Sequence, residues 1–272
     1  MQKISDAKLD ADFRPTDGME VFDHKRTLLT HIGHGDRKVG LAGDSLIFHY
    51  GPRAQQLADE GRLAANVYFV VGGSCAPVPG IVRYDDFAHC ANLTGILADL
   101  VQREKVQSVV LGASWTGYGG IGMFIERRGS LLPLNTKDGQ DAFYSNLEDY
   151  IQTLQHYGAT VYLVLGSPID SRFDPKTMVA RSPTGVHLLP GADKAVSTAQ
   201  LRAANAPADA ALRTVAQHTG ATLLDPFPDI CGNDEGCSPL FGTGEPKFSD
   251  GMHLRPIFVR KHLLFLDFLL KR

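Results

Sequence analysis

The chain carries no surplus of positive charge. Its 27 Lys and Arg against 30 Asp and Glu leave a formal net charge of −3, so there is no basic footprint for a nucleic-acid phosphate backbone. It also lacks an apolar run long enough to span a bilayer, and its first residues, Met1-Gln2-Lys3-Ile4-Ser5-Asp6, lack the apolar centre of a signal peptide. Internal repeats and low-complexity tracts are absent. Cysteine is scarce: Cys75 and Cys90 form one sequence-local pair, Cys231 and Cys237 another. Neither pair has Cys-x-x-Cys spacing and no histidine sits at finger spacing, which argues against zinc. Local pairs in loops suggest two disulfides and an oxidising compartment, with free thiols as the alternative, and four cysteines allow three connectivities. An oxidising compartment without an export signal implies that the export information precedes Met1.

What is present reads as one large α/β domain. At 272 residues and 43% hydrophobic the chain can bury a full core. Residues 1–37 form a polar lead-in with His24, His31 and His34, and weak periodicity over 21–32 fits one helix. From residue 38 to 272, apolar runs alternate with helical spacing. Strands are expected at 39–42, 67–71, 108–112, 160–165 and 221–224, and helices at 46–63, 93–101, 141–157, 198–218 and 256–270. Gly-rich or polar excursions at 117–139 and 168–190 are too long for simple connections. This alternation predicts a three-layer α/β/α sandwich around a five-stranded parallel sheet. Such sheets bind ligands beyond the carboxyl ends of their strands. Ser45, Gly73 and Ser114 all fall at strand ends, and Asp250 and His253 lie on the loop after the fifth strand.

Gly43-Asp44-Ser45 can simply cap a helix. Paired with Asp250-Gly251-Met252-His253 it reads instead as chemistry, because acyl transfer by serine needs an attacking oxygen, a base, a group that orients the base, and oxyanion donors. Ser45 would supply the oxygen, His253 the base and Asp250 the orienting carboxylate. The amides of Ser45 and Gly73 are candidate oxyanion donors, with Gly73 as a mere turn residue the alternative. This chemistry requires no cofactor and no metal.

Gly43-Asp44-Ser45, Gly73 and Asp250-x-x-His253 resemble the first, second and fifth blocks of the SGNH (GDSL-like) hydrolase superfamily, in the same order. The third block departs, with Gly112-Ala113-Ser114-Trp115 where most members have Gly-x-Asn. That stretch, together with Tyr118, residues 74–80 and the run from Cys231 through Cys237 to Leu254, resembles the SGNH domain fused to the carboxyl side of acyltransferase-3 membrane proteins. The resemblance implies a flavodoxin-like fold. It further implies an O-acetyltransferase domain in the periplasm, the soluble part of an inner-membrane protein. Such a domain receives acetyl groups from a membrane acyltransferase-3 domain of the same full-length chain. It passes them through an acyl-serine to a surface polysaccharide of the O-antigen (lipopolysaccharide) type. A secreted carbohydrate esterase is the alternative, and an idle glycan-binding module a third reading. In this frame Ser114 is expected to help the oxyanion hole, and Trp115 and Tyr118 to wall the substrate, Trp115 being equally well a core residue. Arg172 and Arg181 read as solvated charge or as contacts for an anionic glycan or the membrane partner. The expected disulfides are Cys75–Cys90 and Cys231–Cys237.

Overall fold

Five apolar runs pair in parallel, and their order decides which loops meet. The computed structural model describes residues 7, 13, 19–22, 27–83, 90–120, 122–182 and 185–271. The chain enters through β1 (Met19–Phe22), β2 (Thr27–Ile32) and β3 (Arg37–Gly43), then turns through α1 (Ser45–Phe48) and α2 (Gly51–Asp59) into β4 (Ala65–Gly72). After β5 (Ile81–Arg83) come α3 (Ala91–Glu104), β6 (Ser108–Gly112), the hairpin β7 (Met123–Arg127) and β8 (Ser130–Pro133), α4 (Lys137–His156) and β9 (Thr160–Val164). A second hairpin, β10 (Val179–Ser182) and β11 (Gly185–Leu188), precedes β12 (Val196–Ser197), α5 (Thr198–Thr219) and β13 (Thr222–Leu224). The last part holds α6 (Phe227–Cys231), β14 (Gly236–Cys237), α7 (Pro256–His262) and α8 (Asp267–Leu270).

The main sheet has the order β1-β2-β4-β3-β6-β9-β13. Strands β4, β3, β6, β9 and β13 are parallel, which is the expected five-stranded core. The sheet nevertheless has seven strands among the described residues. β2 pairs antiparallel with β4 from Thr27↔Gly72 to Ile32↔Val67, and β1 adds to β2. The lead-in expected to hold a helix thus caps an open sheet edge, and the buried β-branched Thr27, Thr30 and Ile32 suit a strand better than a helix.

Alternation along the strands sends side chains to two cores, one on each face. Ala42, Val70, Val109 and Leu111 face Leu93 and Leu97 of α3, Phe143 and Leu147 of α4 and Leu212 of α5. Leu41, Phe69 and Val110 face Leu57 of α2, Phe258 and Val259 of α7, and Leu269 of α8. Two helices expected as single pieces are broken. The first is interrupted at Tyr50, where Pro52 opens α2 as one of its first residues and cannot donate within a continuing helix. The second is interrupted between α7 and α8, where the Asp229 carboxylate accepts from the amides of Leu264 and Phe265.

The two excursions acquire structure of their own. In the first, the turn Trp115–Gly119 leads into the β7–β8 hairpin, which pairs with β5 in a small sheet. In the second, the Asp170 amide donates to the Gly251 carbonyl at 3.0 Å, which seats the start of the excursion against the loop that carries His253, and short turns then lead into the β10–β11 hairpin. The disulfides are Cys75–Cys90 and Cys231–Cys237, with no free cysteine. No helix among the described residues is long and apolar enough to cross a membrane.

Candidate active site

In the strand order, β4 and β6 flank β3. The chain leaves β3 for β4 on one side and later returns to β6 on the other, so the carboxyl end of β3 is a switch point, where a crevice opens. Gly43 ends this strand opposite Gly112. A Cβ on Gly43 would lie 1.8 Å from the Gly112 carbonyl oxygen, so only glycine lets the chain turn there. Asp44 then caps α1, its Oδ1 accepting from the Leu46 amide at 2.9 Å, and Ser45 becomes the first helical residue. At that position the Ser45 amide has no intrahelical acceptor.

Asp44 does more than cap. Its side chain is 2% exposed, and Oδ2 accepts from the Ser114 amide and from the Tyr118 hydroxyl, each at 2.8 Å. Burial pushes the Asp44 carboxyl up, and these three donors partly offset the shift. Burial and the Asp44 charge together push the Tyr118 phenol well up, so it stays a donor. One carboxylate therefore fastens the loop after β6 to the loop after β3. A consequence for the oxyanion hole follows. The Ser114 amide is spent on Asp44, so of the donors Ser114 carries at the cleft wall only the hydroxyl is left for an oxyanion.

The turn from Ser249 to His253 closes on itself, with the Ser249 amide donating to the His253 carbonyl at 2.8 Å. Asp250 Oδ1 accepts from the amides of Met252 and His253, and Oδ2 receives His253 Nδ1 at 2.7 Å. A carboxylate only accepts, so Nδ1 carries the proton and Nε2 is free to accept from Ser45 Oγ, 2.9 Å away and 208 residues distant in sequence. Burial pushes the Asp250 carboxyl up, but the bonds from His253 and from the two amides outweigh it and hold the group well below the usual carboxylate range. Ser45, His253 and Asp250 thus form one relay with the geometry that proton removal from a serine hydroxyl requires.

The relay opens into a cleft of about 360 Å³ walled by Ser74, Arg83, Ser114, Tyr118, Met123 and Met252. Gly73 is exposed beside it on the turn after β4, and Ser74 next to it holds φ +59, a left-handed conformation that non-glycine residues adopt at a cost. Of the aromatic walls expected from sequence, Tyr118 lines this cleft, although its hydroxyl is committed to Asp44. Trp115 does not line it. Its ring is 3% exposed, its Nε1 donates to the Val164 carbonyl at 2.8 Å, and it borders a separate groove between α4 and α5. Arg172 is held in a two-pronged pair by Asp170, and Arg181 lies on β10.

Sequence reasoning missed several residues. Arg83, Met123 and Met252 at the cleft carry no pattern of their own. His49 had a signal, lying four residues after Ser45 on an expected helix. It is 2% exposed and its ring stands edge-on to His253, at 5.0 Å between centroids.

A family model described as an SGNH domain fused to AT3 domains matches residues 15–261. Among solved structures, the periplasmic domain of a lipopolysaccharide acetyltransferase of Salmonella ser. Paratyphi A aligns with a TM-score of 0.57 and 13% identity, over 87% of this chain and 83% of that one. At that identity the likeness speaks for the fold. An acetyl xylan esterase aligns at 0.46 and 15% identity over 82% and 94% of the two chains, and the esterase EstA from Pseudoalteromonas sp. at 0.44 and 15% over 84% and 94%. No curated protein matches by sequence. With most of its length matched, and with Gly43-Asp44-Ser45, Gly73 and Asp250-x-x-His253 gathered at one sheet edge, the chain belongs to the family of SGNH domains fused to AT3 domains.

Proposed function

We propose that this domain transfers acetyl groups through Ser45 to hydroxyls of a bacterial surface polysaccharide, of the O-antigen (lipopolysaccharide) type. The relay from Asp250 through His253 to Ser45, at 2.7 and 2.9 Å, carries the proposal. Ser45 Oγ attacks the acetyl carbonyl while His253 Nε2 takes its proton, and the same proton leaves with the departing group. The acetyl group then rests on Ser45. A sugar hydroxyl attacks in turn, gives its proton to His253, and the tetrahedral adduct collapses to acetylated sugar and free Ser45, to which His253 returns the proton.

Throughout, the amides of Ser45 and Gly73 would hold the oxyanion, with the Ser114 hydroxyl beside them. The missing asparagine removes one donor, a loss that typically lowers rate by about 10²–10³. A slow hydrolase suits an enzyme that must not lose acetyl groups to water. The AT3 domains of the family fit a membrane donor that hands the acetyl group across, which would put this domain in the periplasm, where both disulfides persist.

The test is product partitioning. With p-nitrophenyl acetate as donor and O-deacetylated lipopolysaccharide as acceptor, acetylated glycan should rise at the expense of free acetate as acceptor increases, because a bound hydroxyl gains effective molarity over water. Undiminished acetate with every glycan tried would support the carbohydrate esterase instead.

A further inference from the structure

Resting on the acyl-transfer reading above, we propose that His49 is a positioning residue that seats the His253 ring while Ser45 carries the acyl group. Ser45 and His49 lie one helical turn apart on the same face, and the His49 amide closes that turn on the Ser45 carbonyl at 3.3 Å. The two rings meet at 73° with centroids 5.0 Å apart, and Phe13 backs His49 at 4.8 Å.

In the resting state three groups fix His253: Asp250 at Nδ1, Ser45 at Nε2 and His49 against the ring. Acylation removes one of them, since an esterified Ser45 has no proton to donate. His253 must then accept the proton of the incoming hydroxyl while held by Asp250 and His49 alone. That places the burden of His49 on the second half of the reaction.

What His49 offers His253 is a ring wall and not a hydrogen bond. The His49 Nε2 is buried without a hydrogen-bond partner among the described residues, and an apolar side chain of similar shape would avoid that cost. The groups facing His49 and His253 are Asp250, Ser45 and, through its clamped carboxylate, Asp44. Burial and the charge that His253 takes up both disfavour a cationic His49, so the ring wall adds no positive charge beside the base.

The experiment compares His49→Leu, which fills the volume without a planar ring, with His49→Phe, which restores a ring. Burst kinetics on p-nitrophenyl acetate separate acylation from turnover of the acetyl-enzyme. Leu should slow turnover about tenfold to hundredfold and acylation much less, as small misplacements of a catalytic group do; Phe should recover turnover to within about threefold of wild type. In the resting enzyme, the downfield proton resonance of the His253 Nδ1–H bond to Asp250 should broaden in the Leu variant and stay sharp in the Phe variant. A Leu variant with wild-type turnover and a sharp resonance overturns the proposal, as do equal losses in both variants. If wild type forms no acetyl-enzyme, the acyl-transfer reading fails, and the resonance still decides whether His49 seats the ring.

Discussion

Asp44 and Asp250 stand at the same sheet edge, and their partners give them different work. Asp250 is oriented by two amides and points at one imidazole nitrogen, so its variants should affect rate more than folding. Ser45→Ala and His253→Ala should each remove hydrolysis of a small acetyl ester with a nearly unchanged thermal transition, and Asp250→Asn should lose less, since it orients without reacting. Equal losses in all three would contradict that division. Asp44 is a clamp with three donors. Tyr118→Phe removes one bond to a buried carboxylate and should cost about 2 kcal/mol in chemical denaturation, whereas a change below about 0.5 kcal/mol, the size of an ordinary surface substitution, would show that the clamp does not hold the loop. The relay residues were legible because Ser45 falls at a strand end and Asp250 and His253 keep a three-residue spacing on the loop that follows the last parallel strand. The spent Ser114 amide was not, because its acceptor is 70 residues away and only the folded loop brings them together.

Among the elements, one disulfide ties a catalytic loop to the frame and the other closes the connection between α6 and β14. Cys75–Cys90 joins the turn carrying Gly73 to the start of α3, with 15 residues of separation; Cys231–Cys237 spans 6. On loop entropy, replacing both cysteines of the first pair by serine should cost about 3 kcal/mol and of the second about 2 kcal/mol. The first should also slow acylation by loosening Gly73, and the reverse order in both stability and rate would contradict the assignment. Lys247 ties another piece, its buried Nζ donating to the Ile230 carbonyl at 2.7 Å. Burial pushes this ammonium down to about 8 from 10.5. Between those values the unfolded chain keeps a proton that the folded chain has released, so folding gains stability as pH rises. Relative to Lys247→Met, wild-type stability should be level below about pH 8 and climb from there to about 10.5. A flat difference across that range would mean that the lysine is not desolvated. Strand and helix positions were readable from periodicity. The breaks at Pro52 and at the Asp229-capped amides were not, since apolar spacing runs straight through both.

For the molecule as a whole, the five parallel strands followed from alternating patterns, and the edge strands from the lead-in did not. Residues such as Thr30 and Ile32 take strand form because β4 offers an unpaired edge, a partner that no local pattern reveals. The excursions were recognisable by length and glycine content, while the pairing of the first hairpin with β5 and the hydrogen bond from Asp170 to the His253 loop arise only in the fold. All of these pieces converge on one hydroxyl, and the direct measurement is therefore made there. After brief reaction with p-nitrophenyl acetate and acid quench, peptide mass spectrometry should find one acetyl group on the peptide containing Ser45, absent in Ser45→Ala. Acceptor polysaccharide added before the quench should discharge it, with acetyl appearing on the glycan. No acetyl on Ser45 under conditions of turnover, or acetyl that leaves only as free acetate at every acceptor concentration, would contradict transfer through this serine.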